Sequence, residues 1–200
     1  MTTSTKQKLT FDQFLDNYPE AGFYELVNGE IIEVRSTRNH DDVADLIADS
    51  FKDEIKHLNL NFVVKTTAVI KTTTQDGKEQ GRKPDVSVIN RDIWRSNRSD
   101  YSALAEPIQL AVEVTSTNWE DDYIDKLDEY QRLGISEYWI VDYLAIGKRE
   151  YLGNPKVPSV FVFLLDADGK YQLTKFTGTE RIVSQTFPEL SLTAEQVLTA

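Results

Sequence analysis

Two hundred residues, 40% of them apolar and 10% aromatic, suffice for one globular domain with a sizeable core. The lack of cysteine excludes a disulfide framework and a thiolate metal site, and no apolar run approaches the roughly 20 residues of a membrane span. A net charge of −11 argues against nucleic-acid binding by overall charge, because phosphates are repelled at long range.

The start, MTTSTKQKLT, has no apolar signal core, so a cytoplasmic protein is expected, with residues 1–9 as a frayed polar tail. Thr10 and Gln13 are spaced as a capping box for a short helix ended by Pro19. GFYELVNGEIIEV predicts a hairpin turning at Asn28-Gly29, since both residues tolerate positive φ; Glu25 lies on its first strand. Val43, Leu46, Ile47, Phe51, Ile55 and Leu58 recur at helical spacing and predict a helix over 40–58. NFVVKTTAVIK, β-branched throughout, predicts one strand, and the polar TTTQDGKEQGR after it a loop. KPDVSVI predicts a strand with proline at its first position. An irregular connection with one helical turn follows.

IQLAVEV is almost continuously apolar, as in a central strand covered on both faces. Thr117 and Glu120 are spaced as a capping box for a helix over 120–133, with Gly134 as its C-cap. EYWIVD predicts another buried strand, and KREYLG a further one. SVFVFLLDADGKYQLTKFTG predicts a hairpin turning at Asp168-Gly169, and Thr193 caps a short closing helix. Strands and helices intermix, which predicts an α/β domain with a mixed sheet spanning 1–200.

Charge is unevenly spread. Lys78, Arg82, Lys83, Arg91, Arg95 and Arg98 face only Glu79, Asp85 and Asp92 between positions 78 and 98, whereas seven acids and one lysine lie between Glu113 and Tyr130. A basic stretch beside an acidic cluster suits a metal-dependent enzyme acting on a phosphate polymer; ordinary charge variation in an acidic protein is the alternative. On the 120–133 helix, Tyr123, Ile124, Leu127, Tyr130 and Leu133 form one arc and Asp121, Asp122, Asp125, Asp128, Glu129 and Arg132 the other. Lys126 falls within the apolar arc. Burying an unpaired ammonium is costly, so a carboxylate partner is expected, with Glu113 the nearest; otherwise the lysine snorkels to solvent. Glu113 and Asp85 each interrupt an apolar strand. If those strands pair, Asp85, Glu113 and a carbonyl near Val114 converge as hard oxygen donors, which favour Mg²⁺ or Mn²⁺. Tyr130, one turn beyond Lys126, either packs in the core with its hydroxyl at the rim or bonds a carboxylate or phosphate. Trp139 belongs to the core, and Trp94 alone among the tryptophans sits among arginines.

Pro84-Asp85 followed by Glu113, Val114 and Thr115 resembles the PD-(D/E)XK nuclease superfamily, whose restriction-endonuclease-like core runs α-β-β-β-α-β. Segments 40–58, 62–71, 84–89, 108–115, 120–133 and 137–142 follow that order. YELVNGEIIEV, His40 opening a helix, KPDVSVI, VEVTS, the Asp122 to Tyr130 helix and GISEYWIVD more closely resemble a large bacterial family named for restriction endonucleases and of unknown biological role. The likeness runs over about residues 10–195. It implies that core with an N-terminal β-hairpin and C-terminal β additions. It implies a Mg²⁺- or Mn²⁺-dependent endonuclease acting on DNA, in the form of a homodimer. Asp85 and Glu113 become metal ligands, Glu25 a further one, and Lys83, Arg82 and Tyr130 substrate contacts. The motif lysine is replaced by Thr115, and the family's displaced lysine on the next helix matches Lys126. The family's proline after the acid is absent from Thr115-Ser116-Thr117-Asn118. A nuclease-fold protein that binds nucleic acid or a protein partner without cleaving, and a hydrolase of small phosphoesters, are the alternatives.

Overall fold

The computed structural model describes residues 8–96 and 101–200. Most of the expected polar tail, and Arg98, lie outside the described residues. The helices are α1 (Phe11–Asp16), α2 (Arg38–His57), α3 (Arg91–Ser96), α4 (Lys126–Leu133), α5 (Arg149–Leu152) and α6 (Ala194–Leu198). The strands are β1 (Phe23–Val27), β2 (Glu30–Val34), β3 (Phe62–Lys65), β4 (Val69–Thr73), β5 (Glu79–Arg82), β6 (Val86–Asn90), β7 (Ala103–Leu104), β8 (Leu110–Val114), β9 (Glu137–Asp142), β10 (Ser159–Leu165) and β11 (Tyr171–Phe176). Among the described residues no helix is long and apolar enough to cross a membrane.

They form two sheets, ordered β2-β1-β5-β4-β7 and β11-β10-β9-β8-β6-β3. The β1–β2 hairpin turns at Asn28 and Gly29, with φ of 53° and 81°, as a two-residue turn matched to strand twist demands. The Thr10–Gln13 capping box forms and starts α1, whose Phe11 and Phe14 pack on Leu26 and Val69 of the first sheet. In the second sheet β8 and β9 are parallel, and β6 lies antiparallel to β8 with Val86 opposite Val112.

All five residues of β8 are buried. Leu110, Val112 and Val114 face a core built with Ile47 and Phe51 of α2, while Ala111 faces a second core containing Tyr123, Tyr130 and Tyr138. Each such fully buried aliphatic side chain contributes about 1.5–3 kcal/mol, so the registration of β8 is strongly held. Because strand side chains alternate, Glu113 shares the face of Ala111 and points toward α4.

Three expectations change. NFVVKTTAVIK is two strands: β3 pairs with β6 in the second sheet and β4 with β5 in the first, the chain crossing between sheets at 66–68. Its uniform β-branched composition carries no signal for that break. The expected loop 72–83 is mostly a hairpin, with Ile70 opposite Arg82 and only 74–78 in the turn. Its strand is polar yet buried, so periodicity could not reveal it. KREYLG contains the short helix α5 rather than a strand. The segment from Arg82 to Asp85 then carries the chain from the first sheet into the second, and the polar cluster gathers at that crossing.

Candidate active site

Asp85 immediately precedes β6. Its Oδ2 accepts the Val114 N–H at 2.8 Å and lies 3.1 Å from His40 Nε2. Its Oδ1 makes no hydrogen bond to a described residue. The strand pairing that sets Val86 opposite Val112 thus brings Asp85 beside Glu113. Lys126 Nζ donates to Glu113 Oε2 at 2.9 Å, and Tyr130 OH donates to Glu113 Oε1 at 2.6 Å. Asp122 Oδ1 stands 3.2 Å from the same ammonium and Glu25 Oε1 3.6 Å. Lys126 does not snorkel: it is 8% exposed, with three carboxylates around it.

The helix faces differ from the sequence reading. Asp122 and Glu129, expected outward, are buried, and Ile124, expected inward, is 46% exposed. On a wheel of about 100° per residue, Asp122, Lys126, Glu129 and Tyr130 span one stripe centred on Lys126. Apolarity alone mis-phased that stripe, because its acids are balanced by cations. The helix opens with a π-turn, Asp121–Asp125, whose Asp122 carbonyl accepts the Tyr138 hydroxyl at 2.9 Å. The Thr117–Glu120 capping box does not form; the Asp121 N–H bonds the Asn118 carbonyl instead. Gly134, at φ 90°, is the expected C-cap.

Burial and the neighbouring Asp85, Asp122 and Glu25 push the Glu113 carboxyl up to about 8, against the pull of Lys126. Burial, Asp85 and Glu25 push Asp122 up to about 6, also against Lys126. Burial opposes the charge of Lys126, but Glu113, Glu25 and Asp122 outweigh it and hold the ammonium's pKa well above the lysine range. Burial would raise Asp85, yet the His40 bond and the charges of His40, Lys83 and Lys126 keep it below the usual carboxylate range. Fully ionised, Asp85, Glu113 and Asp122 would carry more negative charge than the Lys126 ammonium balances, and the corner answers by holding protons on Glu113 and Asp122 more tightly than free carboxyls do.

Arg82 does not reach solvent. It is 2% exposed, and its Nε and Nη2 hold Glu129 at 2.8 and 2.7 Å. Lys83 is also buried, with its ammonium 4.7 Å from the Phe23 ring centre and its N–H donated to Glu25 Oε1 at 3.0 Å. Tyr130 is fully enclosed behind Glu113. These three side chains, expected as substrate contacts, face the protein interior, because the crossing between the sheets encloses both basic residues. His40 does not cap its helix; Thr37 does, and the His40 ring turns to Asp85. Asp122 and Glu129 were missed as cluster members. The i,i+4 spacing of Asp122 and Lys126 was a usable signal, and Glu129 had none. Trp139 lies in the core as expected. Trp94 lies under Lys65 beside a cavity of about 680 Å³ that none of the clustered acids lines.

Among the described residues no three acidic, histidine or cysteine side chains form a ready-made metal cage. The donors still fit a hard divalent ion of the kind that takes one or two carboxylates and keeps waters. Asp85 has an oxygen without a hydrogen-bond partner among the described residues, Glu113 is adjacent, and the neighbouring acids raise the pKa of Glu113 and of Asp122, which a divalent cation would offset.

Comparison with known proteins agrees with this frame. Among solved structures, a putative nuclease belonging to DUF820 from Anabaena variabilis shares 16% identity and a TM-score of 0.70, over 96% of this chain and 98% of that one. At that identity the likeness is one of fold, and the fold is the expected restriction-endonuclease-like α/β mixed sheet with its β additions. No curated protein matches the chain significantly. The Uma2 family model, described as putative restriction endonuclease, matches residues 11–195, and the chain belongs to that family.

Proposed function

We propose that the protein is a divalent-metal-dependent nuclease that hydrolyses phosphodiester bonds in DNA, with Asp85 and Glu113 as ligands of Mg²⁺ or Mn²⁺ and Lys126 facing the reacting groups. The observation that carries this is a buried lysine whose ammonium lies 2.9 Å from Glu113 on β8, with Asp85 at the head of the adjoining β6. When bound, the metal supplies a Lewis acid for a phosphate oxygen and an acidified water. Lys126, whose proton is held by three carboxylates, is a donor and not a general base. It orients the attacking water or stabilises charge developing on phosphate. The Val114 N–H and His40 hold one oxygen of Asp85, and Tyr130 holds one of Glu113, so the acids are oriented before substrate arrives.

The test is cleavage of supercoiled plasmid and of single-stranded DNA with Mg²⁺ or Mn²⁺, wild type beside Asp85→Asn. Metal-dependent nicking lost in the variant supports the reading; nicking retained by Asp85→Asn overturns it. A second reading, a nuclease-fold protein that binds without cleaving, draws on the burial of Arg82 and Lys83, two of the expected substrate contacts. It predicts no Mn²⁺ affinity in the folded wild type.

A further inference from the structure

Glu25 is the acid for which family resemblance suggests a third metal ligand. Its surroundings differ from those of Asp85 and Glu113. Its Oε1 accepts the Lys83 N–H at 3.0 Å and lies 3.6 Å from Lys126 Nζ; its Oε2 lies 3.5 Å from Arg82 Nη1. Arg82 in turn grips Glu129, which also accepts the Thr72 hydroxyl at 2.6 Å. The charges alternate in one continuous chain: Glu113, Lys126, Glu25, Arg82, Glu129. Its residues come from β8, α4, β1, β5 and α4 again, so it links the two sheets through one helix. All five side chains are buried, none more than 8% exposed.

Position within this chain separates the acids. Glu113 and Asp122 share Lys126 at 2.9 and 3.2 Å, and Asp85 stands beside them on His40 and the Val114 N–H, so three acids crowd a corner that a divalent cation would relieve. Glu25 stands between two fixed cations, which repel a third. We infer that Glu25 is a positioning residue, not a metal ligand: it is the middle link of a charge chain that fixes the Lys126 ammonium beside Glu113. The inference rests on the nuclease reading for what Lys126 does, but not for where Lys126 is held.

Two readouts test it on the full chain, Mn²⁺ affinity by electron paramagnetic resonance and the slowly exchanging Lys126 ammonium signal in ¹⁵N NMR, assigned against Lys126→Met. Glu25→Gln keeps the acceptor oxygen and should retain both. Glu25→Ala should keep Mn²⁺ affinity to within about tenfold, while Asp85→Asn falls beyond that, and should lose the ammonium signal. Loss of Mn²⁺ affinity by Glu25→Gln to the level of Asp85→Asn overturns the inference. So does an ammonium signal absent from the wild type or unchanged in Glu25→Ala. Failure of wild type to bind Mn²⁺ defeats the metal-centred reading, and the ammonium signal then still decides the role of Glu25. If Glu25→Ala unfolds, Glu25→Gln carries the metal arm alone.

Discussion

His40 and Asp85 are 45 positions apart, yet His40 Nε2 lies 3.1 Å from Asp85 Oδ2, the oxygen that also accepts the Val114 N–H. Burial disfavours the charged imidazole, but the Asp85 bond and charge, with Asp41, outweigh it and raise the His40 pKa. His40 Nδ1 is buried without a hydrogen-bond partner among the described residues. Asp41 Oδ1 stands farther off, 3.6 Å from Nδ1, so Asp85 is the closer contact of the histidine, and that contact holds the rotation of Asp85 with Oδ1 available.

It follows that His40→Ala should weaken Mn²⁺ binding by about 10–100-fold, the usual effect of losing the partner that orients a ligand. Isothermal titration at one pH, with melting curves as a fold control, measures this. An affinity equal to wild type would show that Asp85 needs no second partner.

Lys126 balances three carboxylates within 3.6 Å. Replacing it with methionine strands them together, and breaking a buried ion pair costs about 3–5 kcal/mol. Lys126→Met should therefore melt well below wild type without metal. Added Mn²⁺ should raise its melting temperature more than it raises that of the wild type, since a ligand that binds only the folded state stabilises it. Equal shifts in both proteins would mean that the acids do not attract the cation.

The Arg82–Glu129 pair is enclosed and bidentate. Arg82→Met or Glu129→Leu alone should destabilise strongly, because each leaves its partner buried and unpaired. The double variant should be less destabilised than the sum, with a coupling on the order of 1–3 kcal/mol. Urea melts of all four proteins give the cycle. Strict additivity would mean the pair contributes nothing beyond its separate packing.

Much of the frame was legible in the sequence because its elements carry local signals. Asn28-Gly29 fixed one hairpin, the Thr10–Gln13 box and the Thr193 cap began two helices, and the apolar run of β8 identified a central strand. Lys126 could be expected beside Glu113 because a lysine on an inward helical face requires a partner. What stayed hidden depends on pairing between distant segments. The break at 66–68 is set by two sheets competing for one β-branched run. Burial of Asp122, Glu129 and Arg82 is set by charges that meet only after folding, and an outward reading is the rational default for each alone. His40 matched a family pattern, but its role required the geometry of Asp85.

Glu79 ties α1 to the first sheet, and its chemistry gives a pH test remote from the acid cluster. Its carboxylate accepts the Phe11 N–H at 2.7 Å and pairs with Lys71 at 2.5 Å. The Lys71 bond first, and the Phe11 N–H next, hold its pKa below the ordinary value of 4.5. A carboxyl lowered in the folded state stabilises above its unfolded pKa, and that contribution fades as pH falls through the lowered native value. Glu79→Gln should therefore lower the melting temperature at about pH 7, and the difference from wild type should shrink toward about pH 3. The side chain is about a third exposed, so the effect is modest and reduced by salt. Melting curves of both proteins across that range, at low and high salt, measure it. A difference that does not change with pH would assign the role of Glu79 to packing against α1 instead of charge.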